Sequence, residues 1–99
     1  MESWSVYLIR SAGGALYTGI TTEVERRLEQ HGAGRGSKFL RGRGPLELVY
    51  RRRLGGRSLA LRVEHALKRL EKREKEALVA ASPSRARLLR SLGLRGSRG

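Results

Sequence analysis

Five side chains in this sequence have types and spacings that could serve one reaction. They are Tyr7 in "VYL", Tyr17 in "YTG", Arg27 and His31 four apart in "VERRLEQH", and Glu64 in "RVEHALK". As a set they suit hydrolysis of a phosphodiester. Attack on phosphorus needs a water relieved of its proton, a cation against the charge gathering on the phosphoryl oxygens, and help for the leaving oxygen. Arg27 could hold the phosphate, and Glu64 could hold a hard divalent ion, because Mg²⁺ accepts one carboxylate and keeps several waters. A tyrosine hydroxyl titrates near 10 and could act as a base only where positive charge lowers that value. Each residue also has a plainer reading: strand tyrosines pack, a helical arginine is solvated, His31 complements a helix C-terminus, and Glu64 pairs with Lys68 one turn later. His65 is set aside as a ligand, since neighbouring helix positions diverge by about 100°.

The elements that must position these groups follow from periodicity. "WSVYLIRS" alternates, with Trp4, Val6 and Leu8 on one face and Ser5, Tyr7 and Ile9 on the other. Gly13 and Gly14 then lead into "ALYTGI", which makes a hairpin whose strands carry one tyrosine each. Register, and so whether the tyrosines share a face, is left open. Thr22 to Glu25 has the spacing of a capping box, so a short helix is expected from Thr22 to about Gly32, with Val24 and Leu28 inward. Residues 32–45 are rich in Gly and Arg without a period and read as a mobile basic loop. "PLELVY" resumes alternation as a third strand, with Leu46, Leu48 and Tyr50 expected on one face. A longer helix is expected over Ser58 to Lys72, with Leu59, Val63, Ala66, Leu67 and Leu70 as its stripe. "EKEALVAA" continues or restarts it, and a last helix begins with Ser82 as N-cap and Pro83 at its first position. The order is strand, strand, helix, strand, helix, with further helical segments: an α+β domain, a small sheet covered by helices.

The 99 residues suffice for one core, here assigned to residues 1–92, with 93–99 read as a disordered basic tail. Lys and Arg number 22 against nine carboxylates, a formal net charge of +13, which points to a polyanionic partner, nucleic acid first. With no cysteine, disulfides, thiolate nucleophiles and Cys-based zinc sites are excluded. Neither a signal peptide nor a membrane-spanning apolar run is present. A cytoplasmic protein is the expectation, associated with the nucleoid if bacterial.

"VYL" and "YTG" resemble the two halves of the GIY-YIG nuclease signature, with the tyrosines ten residues apart across a glycine-bearing turn. The resemblance runs through "TTEVERRLEQH", where Arg27 stands at the family's catalytic arginine and His31 at a histidine common one turn later. It reaches "ALRVEHALKRL", where Glu64 stands at the metal-binding glutamate. Residues 4–80 are covered, and the small stand-alone members are the best match. Two departures stand out: Gly32 follows His31 where many small relatives carry asparagine, and Phe39-Leu40 replaces an aromatic-threonine pair. The resemblance implies a three-stranded antiparallel sheet flanked by helices and cleavage of DNA with one divalent ion, Mg²⁺ or Mn²⁺. It gives Glu64 the ion, Arg27 the scissile phosphate, Tyr7 or Tyr17 the attacking water with Tyr7 favoured, and His31 an assisting role.

Arg26, Arg35, Lys38, Arg41 and Arg43 are expected to contact the nucleic-acid backbone. DNA is the expected partner, in repair or recombination, with RNA open. A protein that binds nucleic acid in this fold without turnover is the alternative reading. The oligomeric state is not set by the sequence.

Overall fold

The computed structural model describes residues 2–36 and 39–95. The elements run β1 (Trp4–Arg10), β2 (Leu16–Thr21), α1 (Val24–Gly32), β3 (Glu47–Gly55), α2 (Arg57–Lys68), α3 (Lys72–Ala81) and α4 (Arg85–Ser91). The strands form one antiparallel sheet in the order β2-β1-β3, which is the expected α+β arrangement. Gly14, at φ 91°, closes the β1–β2 turn and donates its N–H to the Ser11 carbonyl. Among the described residues no helix is long and apolar enough to cross a membrane.

Alternation along β1 divides the core in two. Val6 and Leu8 face a cluster with Tyr50, Leu54, Leu59, Ala60, Val63, Leu67, Leu88 and Leu89, so α2 and α4 cover that side. Tyr7 and Ile9 face the other side, where Val24 and Leu28 of α1 pack with Leu40, Leu46 and Leu48. The expectation that Leu46, Leu48 and Tyr50 share a face fails at Tyr50. Leu8 pairs with Tyr50 while Ile9 pairs with Leu48, so Val49 is an extra residue in β3, and this bulge sends Leu48 and Tyr50 to opposite faces.

Other boundaries also move. β3 continues through "RRRLG", because backbone pairing to β1 does not require apolar side chains and Leu54 still returns to the core. α1 begins after Glu23, not Thr22: the Thr21 hydroxyl accepts from the Glu23 N–H at 3.1 Å, and no side chain caps the helix. α2 stops at Lys68, short of Lys72, and α3 restarts behind a capping box in which the Glu74 carboxylate accepts from the Glu71 N–H at 2.9 Å. Ser82, expected to start the last helix, instead ends α3 in the left-handed region at φ 45°; Ser84 caps α4, accepting from the Arg87 N–H at 3.3 Å. Of the expected disordered tail, residues 96–99 lie outside the described residues.

Polar ties hold the C-terminal helices to the sheet, among them Arg85 Nε of α4 donating to the Leu54 carbonyl of β3 at 2.9 Å. Arg10 makes a two-pronged ion pair with Glu76 of α3, which with Lys72 holds that carboxyl down at about 2. The Tyr50 hydroxyl donates to the Pro83 carbonyl at 2.8 Å. The apolar contribution centres on α2, where Leu67 is fully buried. Leu67→Ala is expected to lower stability by about 2–5 kcal/mol. Urea unfolding reads this as a lower midpoint at unchanged slope, and an unmoved midpoint would contradict the described core.

Candidate active site

The site is assembled on the α1 face of the sheet, and its first requirement is an absent side chain. Tyr7 pairs with Gly19 across β1 and β2, and a Cβ at Gly19 would lie 2.3 Å from the Tyr7 hydroxyl oxygen. The Tyr7 ring therefore lies over Gly19, nearly inaccessible to solvent. Tyr17 is two residues from Gly19 on the same side of β2, so the register left open by the sequence puts both tyrosines on one face, with ring centroids 6.4 Å apart. "YTG" thus supplies both the second tyrosine and the space for the first.

α1 brings up the next two groups. His31, in its last turn, is 2% exposed, and its Nε2 lies 3.0 Å from the Tyr7 hydroxyl. Its ring also meets Tyr17 edge-on, with centroids 5.3 Å apart. Gly36 leaves room on the other side: a Cβ there would be 2.2 Å from His31 Nδ1. Arg27, one turn earlier on α1, donates from Nη1 to Gln30 Oε1 at 3.0 Å and lies beside Tyr7. Glu64, from α2, is near enough for its charge to act on Tyr7, while 21% of its side chain remains exposed and Lys68 lies 3.5 Å away. His65 is exposed, as its helix position requires.

Burial, more than the surrounding charges, keeps the groups of this cluster neutral. Burial is the main influence raising the Tyr7 pKa above 10.0; Tyr17 and Glu64 add to it, and the adjacent Arg27 pulls against them. His31 is pushed below 6.5, by burial first and by Arg27 second. At neutral pH the pair is consequently a neutral phenol hydrogen-bonded to a neutral imidazole through Nε2, the donor being set by the His31 tautomer. Nδ1 has no hydrogen-bond partner among the described residues. The condition under which a tyrosine could act as a base, a pKa lowered by nearby positive charge, is thus not met at Tyr7, where burial outweighs Arg27.

Among the described residues there is no group of three or more His, Cys, Asp or Glu side chains that could cage an ion. Glu64, a partly exposed carboxylate, does fit a hard ion that retains most of its waters, as Mg²⁺ and Mn²⁺ do.

The basic residues are placed unevenly. Arg26, Arg35, Arg41 and Arg43 are exposed, whereas Lys38 lies outside the described residues. The loop that carries Arg35, Arg41 and Arg43 is fastened to the domain by buried Leu40 and by the Ala12 N–H to the Arg43 carbonyl at 3.0 Å, and is braced within itself by Arg41 Nε to the Gly34 carbonyl at 3.2 Å. Sequence reasoning passed over Arg51 and Arg53, which line a groove of about 680 Å³ along α1 with Arg26, Glu23 and Glu25. Their face was hidden because an unbroken arginine run carries no visible alternation. It also passed over Gln30, Gly19 as the seat of Tyr7, and Gly36 as the seat of His31.

Two outcomes follow from this geometry. Gly19→Ala should displace the Tyr7 ring, break its contact with His31 and cost about 1–3 kcal/mol, read by urea unfolding and by a shift of the His31 ring ¹⁵N resonances. Unchanged stability and resonances would rule out the described packing. The second concerns acid. Unfolded His31 takes up its proton near 6.5, whereas the folded chain takes it up only at lower pH. The associated stability is therefore complete above about 6.5 and declines as pH falls through the interval between the two values. His31→Gln should flatten this decline, so a difference between wild type and variant that stays constant from about pH 8 to about pH 5 would contradict it.

Comparison with known proteins agrees with the geometry. The family model described as the GIY-YIG catalytic domain matches residues 3–77. The UPF0213 protein YhbQ of Escherichia coli K12 is 56% identical over 92 residues, covering 93% of this chain and 92% of that protein. The UPF0213 protein BH0048 from Bacillus halodurans, solved in solution by NMR, is 35% identical over 94% of this chain and 99% of its own, with a TM-score of 0.55. The NMR structure of EF2693 from E. faecalis is 32% identical, covers 82% of this chain and 86% of its own, and has a TM-score of 0.58. With its tyrosines, arginine, histidine and glutamate gathered from β1, β2, α1 and α2, and with the family model spanning most of its length, the chain belongs to the GIY-YIG nuclease family.

Proposed function

We propose that this chain is a divalent-ion-dependent DNA endonuclease, selective for DNA structure more than for a long base sequence, acting on nucleoid DNA in repair or recombination. The observation that carries the reading is the convergence on one hydroxyl: Tyr7 on β1 contacts His31 and Arg27 of α1 and feels the charge of Glu64 on α2. Packing a strand tyrosine would not require an acid, a base and a guanidinium around it.

In this reading Arg27 holds the scissile phosphate. Its Nη1 is occupied by Gln30, and the guanidinium has further N–H groups to direct at phosphoryl oxygens. Tyr7 aligns the attacking water and relays its proton: the phenolic proton passes to His31 Nε2 as the phenolic oxygen takes one from water. Glu64 holds Mg²⁺ or Mn²⁺, which would polarise the phosphate and make bound water more acidic. Exposed Arg26, Arg35, Arg41 and Arg43 carry the flanking backbone, and Lys38 is assigned to the same role from sequence.

A second reading, a nucleic-acid-binding protein of DNA or RNA without turnover, draws on the raised pKa of Tyr7, which leaves the phenol protonated at neutral pH. Cleavage of linear, nicked, flap and junction DNA with Mg²⁺ or Mn²⁺, beside binding measured in EDTA, separates the two. Glu64→Ala and Arg27→Ala are each expected to lower cleavage by about 100-fold or more, the scale of lost charge stabilisation at a transition state, with binding nearly unchanged. Normal binding with no cleavage of any of these by wild type would leave the second reading standing.

A further inference from the structure

Phe39 is the chain's single phenylalanine, and it is 43% exposed. Its neighbour Leu40 is buried, so the loop is anchored by one residue and presents the ring of the other. The ring is stacked on Tyr17, with centroids 5.9 Å apart and planes 26° apart, and Tyr17 in turn touches His31. The Arg43 guanidinium lies 4.9 Å from the Phe39 centroid. An aromatic column thus leads from the Tyr7 cluster out to solvent, with an arginine at its outer ring.

We infer that Phe39 is a stacking platform for an unpaired DNA base next to the phosphate held at Arg27. The inference rests on the DNA reading above and specifies its substrate class. Every base has a π-face, but in a continuous duplex both faces are covered by neighbouring pairs. A protein ring that takes up a base therefore selects single strands, overhangs and branch points. The energetics permit the exchange. An exposed cation–π contact is worth a factor of about two to five in an equilibrium, and a base–aromatic stack about five to one hundred, so a base can take over the surface that Arg43 covers. Arg43 is on a long side chain and can turn to the adjoining phosphate, where its guanidinium fits equally well. Arg35 and Arg41, exposed on the same loop, add positive charge for the anionic backbone.

The test measures binding in EDTA, so that turnover plays no part. Fluorescence anisotropy compares a blunt duplex with the same duplex carrying a single-stranded overhang, and 2-aminopurine in the overhang reports stacking. Wild type is expected to favour the overhang by about tenfold and to quench 2-aminopurine. Phe39→Leu should abolish both effects while duplex binding stays put, and Phe39→Trp should preserve them. Equal binding of the two DNAs by wild type, or a Phe39→Leu variant that keeps the preference or weakens both DNAs alike, would overturn the inference. Cleavage assayed separately keeps the two readings distinct: an overhang preference without cleavage upholds the platform and counts against the endonuclease, and cleavage without a Phe39 effect does the reverse.

Discussion

The Tyr7 ring lies where a β2 side chain would otherwise be, and the site depends on this constraint. With hydrogen in place of a side chain at Gly19, the ring can tilt across β2 to bring its hydroxyl 3.0 Å from His31. The contact fixes the last turn of α1 against the sheet, and with it the position of Arg27 one turn earlier. It also makes the wall on which Tyr17 and then Phe39 stack. Gly36 has the matching role behind His31, so the pair is seated between two glycines from separate segments. A Cβ at either place would collide with a buried ring that has nowhere to retreat, because interiors are close-packed.

Much of this architecture was legible because alternation and turn chemistry report directly on local geometry. "WSVYLIRS" and "ALYTGI" gave a hairpin, "VERRLEQH" a short helix, and the stripe from Leu59 to Leu67 the helix beneath the sheet. Reading failed where local pattern and tertiary pairing disagree. The extra residue at Val49 is invisible in an alternating run, yet it decides the side on which Tyr50 is buried. The arginines at 51–53 hide a strand because charge masks period, and Leu54 alone marks its return to the core. Thr22 and Ser82 had the right chemistry for N-caps, but α1 starts behind Glu23 with no side-chain cap, and at α4 it is Ser84 that has the right backbone position. Among the candidate site residues, spacing identified Tyr7, Tyr17, Arg27, His31 and Glu64, and the structure sets their charges or rings around Tyr7. What spacing could not convey was burial, which governs the protonation of the Tyr7–His31 pair.

The basic loop shows a similar division between pattern and packing. Its glycines and arginines suggest a flexible tether, but Leu40 is buried among β1 and α1 residues, and a backbone hydrogen bond from Ala12 to Arg43 joins the loop to the hairpin turn. One apolar residue in a polar segment is a weak signal in sequence and a strong constraint in space. Because Leu40 faces inward, its neighbour Phe39 projects beside the site, and the exposed arginines are arrayed at defined positions along the rim.

In a chain with a net charge of +13, the distribution of its few carboxylates matters as much as the excess of cations. Glu76 is clasped by Arg10 and Lys72, which ties α3 to β1 and holds its carboxyl ionised to about 2. Glu25 is engaged by Arg51, which joins the start of α1 to β3. Glu64 is held more loosely: among the described residues its ion pair is with Lys68, at 3.5 Å on its own helix, and that lysine is 54% exposed. An exposed pair one helical turn apart contributes only about 0.3–0.5 kcal/mol, so water or a hard cation can displace the ammonium at small cost. The charge of Glu64 acts on Tyr7, whereas Glu25 and Glu76 are not among the influences on that hydroxyl. The carboxylates that bind elements together are thereby engaged across the fold, whereas the ion pair of Glu64 stays within its own helix.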